Sequence, residues 1–306
     1  MNSLIGIAGA VSQPGGSGFA VGQSIIHRPP TTHLGLRGAN HLRAVAFVRP
    51  MRGCSNPWLV RCDDGGYYVV KFPDNPQHVR ILANEMIAGR LAQLIGLPVA
   101  APVFVDVVPE LVEADACPQS NLAGRAVCRT ETIGFGSRFP GLPEHTLAVD
   151  FLPDRLLGRV GNLRDAFLGG FVFDKWTCNC DGRQVVFYRP VDAPGQPYTA
   201  LLVDHGFCFN AGDWNFPDSP IRSLYPRRQV YETVTSLDSF QPYLSRIDSL
   251  PPSYIEACIA DIPIQWCAPQ PGELMPLMRK LDARRKGIAD LIIEAKRYSY
   301  PFLKWV

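Results

Sequence analysis

A chain of 306 residues, 46% hydrophobic and 19% charged, holds ample apolar material for a core, which excludes a disordered protein. Thirty basic against 28 acidic residues leave a net charge of +2, so there is no global electrostatic case for nucleic acid or an anionic membrane. No run reaches the roughly 18 apolar residues that cross a bilayer. Nine scattered cysteines without paired Cys-x-x-Cys motifs fit a reducing cytoplasm better than a disulfide scaffold or a zinc site.

Residues 1–40, rich in Gly, Ser, Pro and Thr, read as a disordered leader. Leu4–Val11 is apolar but has no basic residues before it, so no signal peptide is expected. From Leu42 the texture changes. "LRAVAFVRP", "PWLVRC" and "YYVVKF" read as three short strands, the last two joined by the Asp-Gly-Gly turn of "CDDGG". An apolar stripe from Val79 to Ile95 predicts a helix over about Pro76 to Ile95, with Gly96 as its stop signal. "LPVAAPVFVDVVPE" is a further strand region. The stretch 111–160 is broken by Pro and Gly and carries no clear period.

A boundary near Glu131 divides a strand-rich lobe, residues 41–130, from a mainly helical one, residues 131–306. In the second, Asn162–Trp176 is a helix. "VVFYR" and "ALLVD" are strands, and Tyr254–Tyr298 is mainly helical with Leu277, Met278, Leu281, Ile288 and Ile292 on one face.

Four features carry chemistry. Lys71 lies in an apolar strand on the face of Tyr67 and Val69, and is either an edge lysine that snorkels or a cation aimed into a cleft. Glu85, fourteen residues on, stands beside the helix stripe, and a strand Lys with a helix Glu is the phosphate-positioning pair of kinases. The turn Gly53-Cys54-Ser55 is an ordinary hairpin or a set of backbone N–H groups for a phosphate. Asp174, Asn179, Asp181, Arg183 and Gln184 crowd into a loop between helix and strand, where a catalytic base or capped Asx turns are expected. Asp204 follows an apolar strand and precedes His205-Gly206, which fits a metal-binding turn or a surface turn. The absence of H-R-D and D-F-G excludes an ordinary eukaryotic protein kinase.

The segments "GGYYVVKF", "ILANEMIAGRLAQLIGLPV", "FDKWTCNCDGRQVVF" and "LLVDHGFCF" resemble the HipA-like kinase domain family, a bacterial group related to HipA serine/threonine kinases and distantly to phosphatidylinositol 4-kinases. The resemblance covers about Leu42 to Trp305. It implies a two-lobed, protein-kinase-like α+β fold: a small antiparallel-sheet lobe with one helix, then a larger helical lobe. It implies Lys71 as the ATP lysine with Glu85 as its partner, Asp181 of Asn179-Cys180-Asp181 as the catalytic aspartate, and Asp204 as the Mg²⁺ ligand. The chain departs from the family where a second metal-binding Asn is usual five residues after the catalytic Asp. Val186 stands there, which leaves Gln184 or Asn179 as the candidate amide. In an alternative register Asp174 is the base and Asn179 the ligand.

The reading that follows is γ-phosphoryl transfer from Mg-ATP to a hydroxyl acceptor, on a protein or elsewhere. The alternatives are a nucleotide-binding pseudokinase that serves as an interaction module, and a metal-dependent hydrolase built on Asp174, Asp181 and Asp204.

Overall fold

The computed structural model describes residues 41–73, 75–108, 111, 132–267, 271–298 and 302–305; the expected leader, residues 1–40, lies outside them. Strand alternation builds the first half. In β1 (His41–Pro50), β2 (Trp58–Cys62) and β3 (Tyr67–Lys71), Ala44, Trp58, Val60, Cys62, Tyr68 and Val70 turn into one apolar cluster. The β2–β3 turn forms as the Gly pair requires: Gly65 takes φ 77, and Asp64 accepts from the Gly66 N–H and the Tyr68 hydroxyl.

Helix α1 (Ile81–Leu94) follows, buried over most of its surface, and ends where Gly96 adopts φ 72. The helix is shorter at its start than the sequence predicts. Asn75 folds an Asx turn onto the Gln77 N–H, Pro76 stays outside, and Val79 is 57% exposed rather than part of the stripe.

β4 (Pro102–Val107) pairs in parallel with β1, and β5 (Thr132–Arg138) pairs antiparallel with both β3 and β4. The order β1-β2-β3-β5-β4 closes into a barrel. Because β5 lies beyond Glu131, the strand-rich part extends to Arg138, past the boundary expected from composition.

The second half begins with β6 (Thr146–Val149), which joins β7 (Gln184–Pro190) and β8 (Thr199–Val203) in an antiparallel sheet. A short helix α2 (Asp154–Leu157) precedes a π-helical turn, Asp165–Gly169, that runs straight into α3 (Gly170–Thr177). Helices α4 (Tyr243–Asp248), α5 (Pro252–Ala257), α6 (Leu274–Arg284) and α7 (Ile288–Tyr298) complete the described chain. Leu277, Met278, Leu281, Ile288 and Ile292 are buried, as their spacing predicts. The large core cluster runs from α1 through Phe104 and Phe135 into these helices. No helix among the described residues is long and apolar enough to cross a membrane.

Candidate active site

Lys71 ends β3 and is buried, so its ammonium needs partners. It has two: it forms an ion pair with Glu85 on α1, and it donates to Asp204 Oδ1 at 2.9 Å. Glu85 is 1% exposed and also accepts the His205 backbone N–H at 2.8 Å. Burial alone would lower the lysine, but the charges of Glu85 and Asp204 outweigh it and hold the ammonium above its ordinary range. Burial pushes the Asp204 carboxyl up, and the Lys71 charge pulls it further down, so Asp204 stays ionised. The snorkelling alternative for Lys71 is thereby replaced by a three-membered charge cluster.

The loop after α3 is organised around Asp174. This carboxylate is fully buried (0% exposed), and Arg183 grips it with two donors, Nε lying 2.9 Å from Oδ2. Asn179 adds a hydrogen bond from Nδ2 to Asp174 at 3.2 Å, and its Oδ1 accepts the Asp181 N–H, also at 3.2 Å. Cys178 reverses the chain in the left-handed region at φ 52. Both ends of the Asn179 amide therefore serve the loop, and its geometry speaks for a loop clamp rather than a metal ligand. Asp181 itself is exposed; its carboxylate accepts only the neighbouring Gly182 N–H among the described hydrogen bonds.

Two tethers fasten the Asp181 loop to the chain on either side of Asp204. Cys180 donates its N–H to Phe207 O at 3.1 Å. Arg183 Nη1 reaches Val203 O at 3.3 Å and His205 Nδ1 at 3.1 Å. Since arginine only donates, Nδ1 accepts and the His205 proton sits on Nε2. Burial, with the Arg183 charge adding to it, holds His205 well below its ordinary value and hence neutral. His205 is thus a buried, neutral group that hydrogen-bonds Arg183.

Asp204 takes φ 57, and Gly206 lies so close to α1 that a Cβ there would stand 2.4 Å from Ile81 Cγ1. Next to Glu85, Asn84 donates to three carbonyls, Gly206 O at 2.8 Å, Cys208 O at 3.0 Å and Ala211 O at 2.7 Å, and accepts from Trp214 Nε1 at 2.8 Å. Sequence reasoning did not single out Asn84; its one signal was an amide inside an apolar stripe.

Gly53 (φ 141), Cys54 and Ser55 form the β1–β2 turn, closed by the Asn56 N–H on Gly53 O and the Met51 N–H on Pro57 O. Gln184, exposed, opens β7 opposite Val203, one residue before Asp204. Val186 pairs with Leu201 farther along the same strand.

A family model described as HipA-like kinase matches residues 45–291. No curated protein matches the chain. Among solved structures, the Helicobacter pylori proinflammatory kinase CtkA aligns with a TM-score of 0.50 at 18% identity, over 83% of this chain and 95% of that one. Hydra Fam20 with sugar gives 0.48 at 13% identity, over 84% and 87% of the two chains. The Golgi casein kinase with Mn/ADP bound gives 0.46 at 14% identity, over 84% and 73%. The likeness to CtkA shows a kinase fold, a sheet-rich N-terminal part followed by a helical C-terminal part. With a model match spanning most of its length, the chain belongs to the HipA-like kinase family.

Proposed function

We propose that this kinase-family chain transfers the γ-phosphoryl group of Mg-ATP to a hydroxyl acceptor. The observation that carries the reading is Lys71 bridging Glu85 and Asp204: a buried cation positioned by one carboxylate and touching a second at a strand end. The donor set suits a phosphate–metal group. Asp204 offers a charged oxygen to a hard cation, and the Lys71 ammonium has a third hydrogen for a phosphate oxygen. Among the described residues no three His, Cys, Asp or Glu side chains converge as a metal cluster. A Mg²⁺ ion here would take its remaining oxygens from water and phosphate, as Mg²⁺ in phosphoryl-transfer sites does.

Mg-ATP would supply the electrophilic γ-phosphorus, with ADP as the leaving group. The chain supplies position and charge. Lys71 holds phosphate oxygens, and Glu85 holds Lys71. Asp204 and Gln184 are the proposed metal ligands. The N–H groups of Gly53, Cys54 and Ser55 would be the turn's donors to a phosphate. Asp181 accepts or orients the hydroxyl proton; its exposure leaves it open to an acceptor, whereas Asp174 spends both oxygens on Arg183 and Asn179. That difference favours Asp181 over Asp174 as the base, and it disfavours a hydrolase that needs Asp174 on a metal. The seven described cysteines are all free thiols, which supports a reducing compartment such as the cytoplasm.

The test is ADP formation and autophosphorylation by mass spectrometry on purified protein with Mg-ATP, against Lys71→Met and Asp181→Asn. Turnover in the wild type that both variants lose supports the reading. Mg-nucleotide binding without turnover favours the pseudokinase, a reading that Val186 in the second-ligand position motivates. Neither binding nor turnover overturns both.

A further inference from the structure

We propose that Asn84 is a positioning residue for this site: its single amide fastens the segment Gly206–Trp214 to α1, so that Glu85 and Asp204 move as one body around Lys71. The inference rests on the phosphotransferase reading and adds to it the group that keeps the site assembled.

Asn84 is fully buried in the first turn of α1, and the residue beside it is Glu85. The two neighbours divide the work. Glu85 takes Lys71 and the His205 N–H; Asn84 takes the carbonyls of Gly206, Cys208 and Ala211 and the Trp214 indole. The α1 helix therefore grips the chain immediately after Asp204 and again ten residues beyond it. Three carbonyls demand a donor and an indole demands an acceptor, and asparagine offers both at this length. Aspartate would turn an oxygen toward three carbonyl oxygens, and leucine would remove this partner from all four groups, leaving Gly206 O only the His78 ring nitrogen at 3.0 Å.

The gripped segment would not hold its shape unaided. Asp204, Phe209, Asn210, Ala211 and Trp214 all adopt positive φ, between 50 and 60, a conformation that costs non-glycine residues energy and persists only where the surroundings over-determine it. Other groups fix the far end. Arg80 stacks over the Trp214 ring at 4.2 Å, and Lys280 donates to Trp214 O at 3.0 Å. On the other side, Phe209 and Asn210 donate their N–H groups to Thr177 O and Cys178 O, which ties the segment to the Asp181 loop. Asn84 thus joins Glu85 in linking α1 to the Asp204 segment and, through that segment, to the Asp181 loop.

The experiment combines two readouts on the full chain: amide hydrogen exchange without nucleotide, and calorimetric ADP binding across a Mg²⁺ titration. For Asn84→Ala, exchange over residues 206–214 is expected to rise while the barrel strands stay protected. The Mg²⁺ concentration for half-maximal binding is expected to rise roughly tenfold or more, the scale of lost outer-shell support at a metal site. ADP affinity without Mg²⁺ should stay nearly constant. A merely structural role would lower the folded fraction and leave the Mg²⁺ midpoint where it was. If Asn84→Ala does not fold, Trp214→Phe keeps a ring and removes only the indole donor, and the same two shifts are expected in smaller measure.

Unchanged exchange together with an unchanged Mg²⁺ midpoint, in whichever variant folds, overturns the proposal. A wild type whose ADP binding ignores Mg²⁺, or an Asp204→Asn variant that binds Mg-ADP as well as the wild type, defeats the phosphotransferase reading instead. The positioning role then falls with it. A Mg-dependent wild type with indifferent Asn84 and Trp214 variants defeats the clamp alone.

Discussion

Lys71 Nζ lies 2.9 Å from Asp204 Oδ1, a hydrogen bond between residues 133 positions apart that joins the end of β3 to the end of β8. With Glu85 on the other side, one ammonium serves two carboxylates in a largely dry setting. Removing one member of a buried pair leaves an uncompensated charge and typically costs about 3–5 kcal/mol. Lys71→Met should therefore lose both stability and nucleotide turnover. The double variant Lys71→Met with Glu85→Gln should recover part of the stability, because the more buried of the two stranded carboxylates is neutralised while Asp204 stays charged, and none of the turnover. Urea denaturation beside an ADP-release assay measures both. A double variant that regains turnover would remove Lys71 from the mechanism.

The two aspartates of the loop after α3 should respond in opposite ways. Asp174→Asn leaves the Arg183 guanidinium buried against a neutral amide, so the expected result is a loss of roughly 3 kcal/mol or more in stability. Asp181→Asn alters an exposed group with one local hydrogen bond, so the fold should stay within about 0.5 kcal/mol of wild type. Its turnover should fall about 10²-fold or more, the scale of a lost general base. Thermal denaturation and single-turnover kinetics separate these effects. A fully stable but inactive Asp174→Asn would shift the base to Asp174 and restore the register in which Asn179 binds metal.

How much of this was legible beforehand depends on the range of each interaction. Short runs rich in β-branched and aromatic residues between turn signals located β1, β2, β3, β4, β7 and β8, and the Lys71–Glu85 spacing pointed at a real pair, because strand and helix tendencies are local properties. β5 was hidden by its own glycines, which read as breakers. Gly134 and Gly136 are there because a Cβ would stand 2.7 Å from Val70 Cγ1 and 2.6 Å from Val105 Cγ2, so the strand is glycine-bearing in order to close the barrel. The Arg183–Asp174 grip, the second partner of Lys71 (Asp204) and the Asn84 hub all depend on tertiary approach. No periodicity encodes that approach; crowding of Asp, Asn and Arg after α3 marked the neighbourhood without assigning the pairs.

Gly206 offers a steric test of the same assembly. A methyl group at this position meets Ile81 at 2.4 Å and Glu85 Oε1 at 3.5 Å, so Gly206→Ala must push α1 away from the Asp204 segment. The expected result is an overpacking loss of about 1–3 kcal/mol and a sharp drop in Mg-ADP affinity, read by calorimetry. Gly182→Ala, beside Asp181, has nothing within 4 Å of the added carbon and should leave both quantities unchanged. Equal behaviour of the two variants would mean that α1 can retreat without disturbing the site.

Lys175 provides the pH dependence. It is buried on α3, and its ammonium donates to Ser219 O at 2.8 Å and Pro220 O at 2.9 Å, with no carboxylate among its described hydrogen-bond partners. Burial pulls it down to about 8, against the weaker upward pull of Asp218. The neutral amine keeps two N–H donors, enough for both carbonyls, so deprotonation relieves the desolvation cost without breaking the contacts. In the unfolded chain the lysine holds its proton until about 10.4. Between pH 8 and that value the unfolded state binds more protons than the folded one, so folding stability gains with rising pH. Relative to Lys175→Met, which cannot titrate, the wild type should gain up to about 3 kcal/mol from pH 7.5 to 10, since each unit of a lowered pKa corresponds to about 1.4 kcal/mol. Urea denaturation of both proteins at matched pH values measures the difference, and titrations common to both cancel. Parallel stability curves across this window would show that Lys175 keeps an ordinary lysine pKa in the folded protein, with water or Asp218 compensating its charge.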